Sequence, residues 1–374
     1  MKRMKRMKRI LALSLCIIMA FALVMPAYAS SPVNPSPTGP TGGGGSSATA
    51  SNKNEVIAGQ DVKTTETTQS KANADGSVTK TSTVKSTADN GTTATTVTTT
   101  TTKKDGSVTE TVTVSADVSS KAVANAKKTG GYVTIPVRAV EKQEVKVSLP
   151  SGSGNVKVEL PMTKNATAGM VLVTVDKAGN EKVIKTSVAT QNGIAATLDG
   201  SVTVKIVDNT IKFADTTDHW AENAITFTAS REIFAGVGGG RFSPGDSTTR
   251  AMVWTVLARF DDADTTTGVH WYDAGADWAK NKSVSDGLNA DANITREELV
   301  TMIYRYVGSP AVSGSLANYS DATQVSNWAK DAMQWAISVG LVQGVGNNTL
   351  QPQGNATRAQ LATIMQRFCT TIVM

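Results

Sequence analysis

Three arginines in the C-terminal part of the chain, Arg250, Arg296 and Arg358, each follow a threonine. Threonine is a favoured helix N-cap, so each Thr-Arg pair predicts a helix with the arginine on its first turn. The free backbone N–H groups of a first turn already favour anions, and a guanidinium can form two parallel hydrogen bonds with a carboxylate. The chemistry that these residues could perform is therefore the binding of a carboxylate-bearing ligand.

Apolar residues at a fixed spacing after each arginine predict the helices that position it. They occur 3, 6, 7 and 10 positions after the arginine, which places them on one helix face. The residues are Val253, Val256, Leu257 and Phe260; Leu299, Met302, Ile303 and Tyr306; and Leu361, Ile364, Met365 and Phe368. Thr295 with Glu298 and Thr357 with Gln360 form predicted capping boxes. A second arginine recurs nine positions on (Arg259, Arg305 and Arg367), and we interpret it as solvated or structural.

A wider repeat surrounds these helices. Trp220, Trp271 and Trp328 each precede a glycine by 16 positions, and another large aromatic residue follows each tryptophan by seven. Each unit is therefore predicted to be a helix, a Gly-rich loop and a helix. One such hairpin cannot enclose a core alone, so three copies should pack together. We place the first copy at 213–262, the shortened middle copy at 263–310 and the third copy at 311–374.

This pattern resembles a triplet of S-layer homology (SLH) domains, as in surface proteins of clostridial-type Gram-positive bacteria. The matching motifs are Phe213-Ala214-Asp215, Thr249-Arg250-Ala251, Tyr319-Ser320-Asp321 and Thr357-Arg358-Ala359. The middle copy lacks both the aromatic-x-Asp opening and the Pro-containing loop. The resemblance implies an all-α C-terminal SLH triplet in a pseudo-threefold arrangement. It also implies that the grooves between copies bind an anionic, often pyruvylated, secondary cell-wall polysaccharide.

By the same resemblance, eight residues are candidates for binding the polysaccharide. Arg250, Arg296 and Arg358 would bind its carboxylates, Trp220, Trp271 and Trp328 would line the pockets, and Asp215 and Asp321 would order polar contacts. Other roles remain open: the tryptophans could be core residues at helix starts, the aspartates helix caps, and the arginines partners in ion pairs between copies. The shortened middle copy predicts that at least one groove is degraded or repurposed.

The N-terminal half predicts export and then a β-rich region. Residues 1–29 read as a signal peptide, with a basic start, an apolar run and a small-residue site. Residues 30–54 are a Pro/Gly/Ser-rich linker. Residues 55–129 form either a Thr-rich β-meander with Asp-Gly and Asn-Gly turns or a disordered, glycosylated stalk, and we favour the meander. Residues 130–212 alternate apolar and polar residues, which predicts a small β-sandwich-like domain.

Charge excludes one class of partner. The formal net charge is +6, from 37 basic and 31 acidic residues. Residues 1–29 contain six of the basic residues and no acidic one, so the remaining chain has a formal net charge of zero. A protein that binds duplex nucleic acid needs a concentrated basic face. We therefore predict no nucleic-acid partner, and no membrane span once the signal is removed.

We predict a non-enzymatic surface protein that is anchored to the cell wall without a covalent bond. Residues 55–212 contain no histidine or cysteine, and their acidic residues show no motif spacing. We therefore predict no catalytic residue, cofactor or metal, although a carboxylate pair is not excluded by sequence. The alternatives are a self-assembling S-layer or matrix protein and, less favoured, an anchored polysaccharide hydrolase. Cys369, the only cysteine beyond the signal, is expected to be a buried, inert thiol.

Overall fold

A computed structural model of the protein describes residues 48–373. The predicted signal peptide and residues 30–47 of the predicted linker lie outside the described residues. Residues 48–54, which composition places in the linker, form most of the first strand. No helix within 48–373 is long and apolar enough to cross a membrane.

The N-terminal part of the described chain is a meander of five long antiparallel strands. They are β1 (Ala48–Ile57), β2 (Gln60–Ala72), β3 (Val78–Ala88), β4 (Thr93–Thr102) and β5 (Val108–Asp117). Asp75 and Asp105 each accept a hydrogen bond from the backbone N–H two residues on, which closes the tight turns. Gly76 and Gly106 follow with φ of 79° and 83°, a region that favours glycine.

The meander extends beyond any core at its far end. Ala94, Val114 and Ala116 are buried at the end of the meander that packs on the core of the β-rich part. Val78 and Val108 are exposed at the other end, beside the turns that contain Asp75 and Asp105. In between, threonines oppose one another across strands, as Thr81, Thr99 and Thr111 do. Such cross-strand pairs contribute about 0.2–1 kcal/mol each. This part of the sheet is therefore a single layer that depends on its backbone ladders and threonine pairs.

The meander continues into a two-sheet domain, because β5 pairs in parallel with the strand Glu144–Ser148. One helix, α1 (Ser120–Thr129), packs on this domain and buries Ala122, Val123 and Ala126. The remaining strands are β6 (Val133–Thr134), β7 (Glu144–Ser148), β8 (Val156–Pro161), β9 (Met170–Val175), β10 (Glu181–Val183), β11 (Val188–Ala189), β12 (Gly193–Leu198) and β13 (Val202–Asp208). Together with the meander, these strands form two sheets. The nine-stranded sheet has the order β1-β2-β3-β4-β5-β7-β13-β9-β10, and the four-stranded sheet has the order β11-β12-β8-β6.

The C-terminal part is helical, but the predicted all-α triplet in a pseudo-threefold arrangement is wrong. Its helices are α2 (Glu222–Ser230), α3 (Arg250–Phe260), α4 (Asp273–Asn281), α5 (Arg296–Tyr306), α6 (Lys330–Ser338) and α7 (Arg358–Arg367). Two 3-10 helices, a final π-helix and isolated β-bridges between loops accompany them. The spacing of apolar residues predicts helices only and gives no information on how the loops pair. Buried loop backbone also needs partners, and these loops obtain them partly by pairing with each other.

Arg231 joins the β-rich part to the helical part. Its side chain is fully buried at the end of α2. Its Nε donates to the Ser187 carbonyl at 2.7 Å, and its two terminal nitrogens donate to the carbonyls of Ala168 at 2.9 Å and Met170 at 3.1 Å. The guanidinium also lies 3.6 Å from the centre of the Phe227 ring. Arg231 therefore holds three carbonyls of the β-rich part from the helical side.

Cys369 is free and buried in the helical core, as predicted. Burial raises the pKa of its thiol to about 12. Because the thiolate is the reactive form, we expect Cys369 in a protein of residues 30–374 to resist alkylation at pH 8 in the folded state and to react rapidly in denaturant. Mass spectrometry after a timed iodoacetamide pulse measures this difference. Rapid labelling of the folded protein would contradict the burial.

Candidate functional site

The three Thr-Arg segments meet at the centre of the helical part. The N–H of Thr248 donates to the carbonyl of Ala356, the N–H of Ala356 to Ile294, and the N–H of Ile294 back to Thr248, at 2.8–2.9 Å. Each following threonine caps its helix, and the two predicted capping boxes are confirmed. Arg250, Arg296 and Arg358 therefore begin α3, α5 and α7 around one closed set of backbone hydrogen bonds.

Two of these arginines are largely buried and bind backbone of another copy. Arg296 donates from Nε to the Leu350 carbonyl at 2.7 Å. Arg358 donates to the carbonyls of Phe242 at 2.8 Å and Ala235 at 2.9 Å. Burial lowers the pKa of both guanidinium groups, that of Arg358 to about 10. Both arginines thus support the loop that precedes the second helix of a neighbouring copy.

The two candidate aspartates bind those same loops. Asp215 accepts hydrogen bonds from the backbone N–H groups of Phe242 and Ser243 at 2.8 and 2.7 Å. Asp321 accepts them from Leu350 and Gln351. Although burial alone would raise the pKa of Asp215, the backbone hydrogen bonds lower it. The aspartates hold loop backbone within their own copies.

Arg250 has a different environment from the other two arginines. It forms ion pairs with Asp286 at 2.8 Å and with Glu298 at 3.4 Å, and its Nε donates to the Leu288 carbonyl. All three partners belong to the middle copy. Two carboxylates therefore already compensate the charge of this guanidinium.

The candidate tryptophans lie on the surface at the starts of the first helices. Trp220, Trp271 and Trp328 are 67%, 54% and 55% exposed. The aromatic residues seven positions later, Phe227, Trp278 and Trp335, are buried and fill the core instead. The three exposed rings are therefore free to contact a ligand.

One cavity of about 320 Å³ combines parts of all three copies. Trp220 comes from the first copy, Arg296 from the middle copy and Arg367 from the third. Its complete lining is Trp220, Arg296, Val342, Gln343, Gly344, Val345, Gln360, Thr363, Ile364 and Arg367. We call this cavity the Trp220 groove. Its lining contains two cationic side chains, an exposed indole and no carboxylate.

The Trp220 groove contains two of the eight candidate residues and several that the sequence interpretation assigned elsewhere. Arg367, interpreted as solvated or structural, donates to Gln343 at 3.1 Å on the groove wall. Burial lowers the pKa of its guanidinium. Gln360 is a capping-box residue that also faces the groove. The recurrence of an arginine nine positions after the first was the available signal for Arg367.

The residue two positions after each Thr-Arg arginine differs among the copies. It is Met252 in the first, Glu298 in the middle and Gln360 in the third. Met252 contacts Arg358, with its sulfur 3.6 Å from a guanidinium nitrogen, and Glu298 pairs with Arg250. Gln360 adds no negative charge to the lining of the Trp220 groove. The three equivalent positions therefore create apolar, acidic and neutral polar surroundings.

Comparison with known families identifies the modules. The family described as the S-layer homology domain matches residues 212–251 and 318–362. The two matched segments fall in the first and third copies, and the shortened middle copy is not part of the match. SLH domains anchor surface proteins to the cell wall by binding its polysaccharide, and their presence locates this protein at the cell wall surface.

Comparison with individual proteins finds related segments in much longer chains. An amylopullulanase of Thermoanaerobacterium thermosulfurigenes is 30% identical over 171 residues, which cover 41% of this chain and 9% of that protein. Cell surface glycoprotein 1 of Acetivibrio thermocellus is 34% identical over 84 residues, 22% of this chain and 4% of that protein. The Surface-layer 125 kDa protein of Lysinibacillus sphaericus is 23% identical over 167 residues, 40% of this chain and 14% of that protein. The chain thus spans less than a fifth of the length of these relatives.

Proposed function

We propose that this protein is held on the cell wall by an anionic, pyruvylated secondary cell-wall polysaccharide bound in the Trp220 groove. The observation that carries the proposal is the composition of the groove, in which Arg296 and Arg367 flank an exposed indole without a carboxylate in the lining. A pyruvyl carboxylate would pair with a guanidinium, and the apolar face of a sugar ring would cover the indole. Charge-assisted hydrogen bonds of this kind contribute about 1.5–3 kcal/mol each.

The proposal assigns unequal roles to the eight candidate residues. Trp220 and Arg296 would contact polysaccharide in the groove, with Arg367 and Gln360 added to them. Arg358, Asp215 and Asp321 would keep the surrounding loops in place, because their polar atoms bind loop backbone and none of them lines the Trp220 groove. Arg250 would hold the middle copy against the first through its ion pairs.

In this proposal the β-rich half is projected from the wall as a stalk or a presented module. Support comes from the single-layer meander, which extends past the core, and from Arg231, which fixes the β-rich part to the helical part. We propose binding without catalysis, since residues 55–212 contain no histidine or cysteine and the match to the amylopullulanase covers only 9% of that protein.

Sedimentation with purified cell walls tests the proposed function. We expect residues 30–374 to sediment with intact walls, to stay in the supernatant with walls stripped of the secondary polysaccharide, and to bind less after pyruvyl groups alone are removed. A tube without walls detects self-assembly, the alternative function. Undiminished binding to stripped walls, or sedimentation without any wall, would overturn the proposal.

A further inference from the structure

Strand β1 is the open edge of the nine-stranded sheet. It pairs with β2 on one side, and no other strand within residues 48–373 pairs with its outer side. Residues Ala48–Asn54 are all exposed. The opposite edge of the sheet, β10, has only three residues. The sheet therefore has one long edge that is able to accept another strand.

Two common protections of an edge strand, a proline and a bulge, are missing from β1, whose only charged residues are Lys53 and Glu55. Its ten residues contain no proline, and its register with β2 runs without a bulge from Ala48 opposite Gln69 to Ile57 opposite Gln60. An unprotected edge presents a row of free N–H and C=O groups, which is a template for pairing with another chain. The remaining question is which strand would fit it.

The charges of β1 favour a second copy of itself. If two β1 strands pair antiparallel about a twofold axis at Asn54, Lys53 of each copy lies directly opposite Glu55 of the other. Both side chains are on one face of the sheet, since they are two positions apart. Lys53 is exposed and already lies 3.1 Å from Glu55 of its own strand. The pairing would thus bring Lys53 of each copy to Glu55 of the other, beside the ion pair that Glu55 already makes within its own strand.

The contacts of Glu55 within its own copy favour the ionised form of its carboxyl group. It accepts a hydrogen bond from Thr64 at 2.7 Å and pairs with Arg138 at 2.8 Å. Although desolvation alone would raise the pKa of Glu55, these contacts and Lys53 lower it to about 2. The carboxylate is therefore held ionised on the strand face where Lys53 of a second copy would arrive.

We propose that two copies of the protein join through β1, antiparallel about Asn54, so that their sheets become one continuous sheet. Residues 51–57 of each copy take part. This inference goes beyond wall binding and does not depend on which polymer is bound. Confinement of many copies to one wall surface raises their local concentration, which favours the pairing.

Charge substitutions test the pairing in solution. Lys53→Glu and Glu55→Lys each place like charges opposite one another, so each variant alone should show a dimer dissociation constant about 10-fold or more above that of the unchanged protein. An equimolar mixture of the two should form a heterodimer, because opposite charges again face each other. Lys80→Glu makes the same charge change on interior strand β3 and should leave dimerisation unchanged. Analytical ultracentrifugation of residues 30–374 measures the unchanged protein, the three variants and the mixture.

A cross-linking pair tests the register. Directly opposed residues of antiparallel strands have Cα atoms about 4.5–5.5 Å apart, which suits a disulfide. Asn54→Cys should therefore form a covalent dimer on mild oxidation, whereas two Asn52→Cys residues would be about 13 Å apart along the strands and should not. A protein that stays monomeric up to about 1 mM, or cross-linking through position 52 instead of 54, overturns the proposal.

Discussion

Replacing Arg231 with methionine is expected to lower the free energy of unfolding by about 3–5 kcal/mol. The side chain is fully buried and donates to carbonyls of Ala168, Met170 and Ser187 in the β-rich part. Methionine fills much of the same volume but donates no hydrogen bond. Each buried carbonyl that loses its donor costs about 1–3 kcal/mol, and this sum exceeds the gain from removing a buried charge.

Urea unfolding followed by circular dichroism measures the effect of this substitution. Arg241→Met is the matched control, because Arg241 is exposed and its nearest carboxylate oxygen, on Asp215, is 3.7 Å away. A change within about 0.5 kcal/mol is expected there. A loss below 1 kcal/mol for Arg231→Met would show that the carbonyls find other partners and that Arg231 does not hold the two parts together.

Replacing Trp220 with alanine is expected to weaken wall binding about 10-fold or more and to leave the stability nearly unchanged. The ring is 67% exposed, so its removal creates no core cavity. In the Trp220 groove the ring would be covered by sugar, and burial of a large apolar side chain contributes about 1.5–3 kcal/mol. The loss is therefore expected in affinity alone.

Trp271→Ala and Trp328→Ala are controls of the same residue type, similar exposure and corresponding position. We expect less than a threefold loss for each, because the defined cavity contains only the first of the three tryptophans. Arg367→Gln should resemble Trp220→Ala, since it removes a charge from the same groove. Binding isotherms with purified walls give the four affinities. Equal losses at all three tryptophans would mean that the grooves act equivalently and would refute the special role of the Trp220 groove.

The helical part was predicted best where local chemistry decides the structure. Apolar spacing placed α3, α5 and α7, and the capping boxes at Thr295 and Thr357 marked two of their starts. The all-α description failed because loop pairing, such as that of Thr249 with Asn293, depends on residues distant in sequence. No local pattern marks such contacts.

In the β-rich part, residues whose partners are remote were the hardest to interpret. Residues 48–54 are polar and follow a Pro/Gly-rich stretch, so nothing local marks them as a strand, and their pairing with β2 supplies the order. The parallel pairing of β5 with β7 joins two regions that composition separates. Arg231 has no repeated counterpart, and its burial depends on carbonyls more than forty residues away.

For the candidate site residues, the sequence does not reveal which side chains are occupied by contacts within the protein. The Thr-Arg arginines were expected to face ligand, but Arg358 is buried against loop carbonyls and Arg250 is paired with carboxylates. Arg367 was interpreted as structural, yet it lines the Trp220 groove. Which arginine faces a groove depends on how the copies pack, and three similar copies do not reveal this from spacing alone.

The packing of α2 against α7 sets an order of events during synthesis. The first helix of the C-terminal part contacts the last α-helix, and the hydrogen bonds that close the centre include Ala356. Domains generally fold as they emerge, N-terminal part first. The β-rich half can therefore fold before the helical part is complete, whereas α2 cannot complete its packing until α7 has emerged. The Trp220 groove, which needs both Trp220 beside α2 and Arg367 at the end of α7, therefore forms only after α7 has emerged.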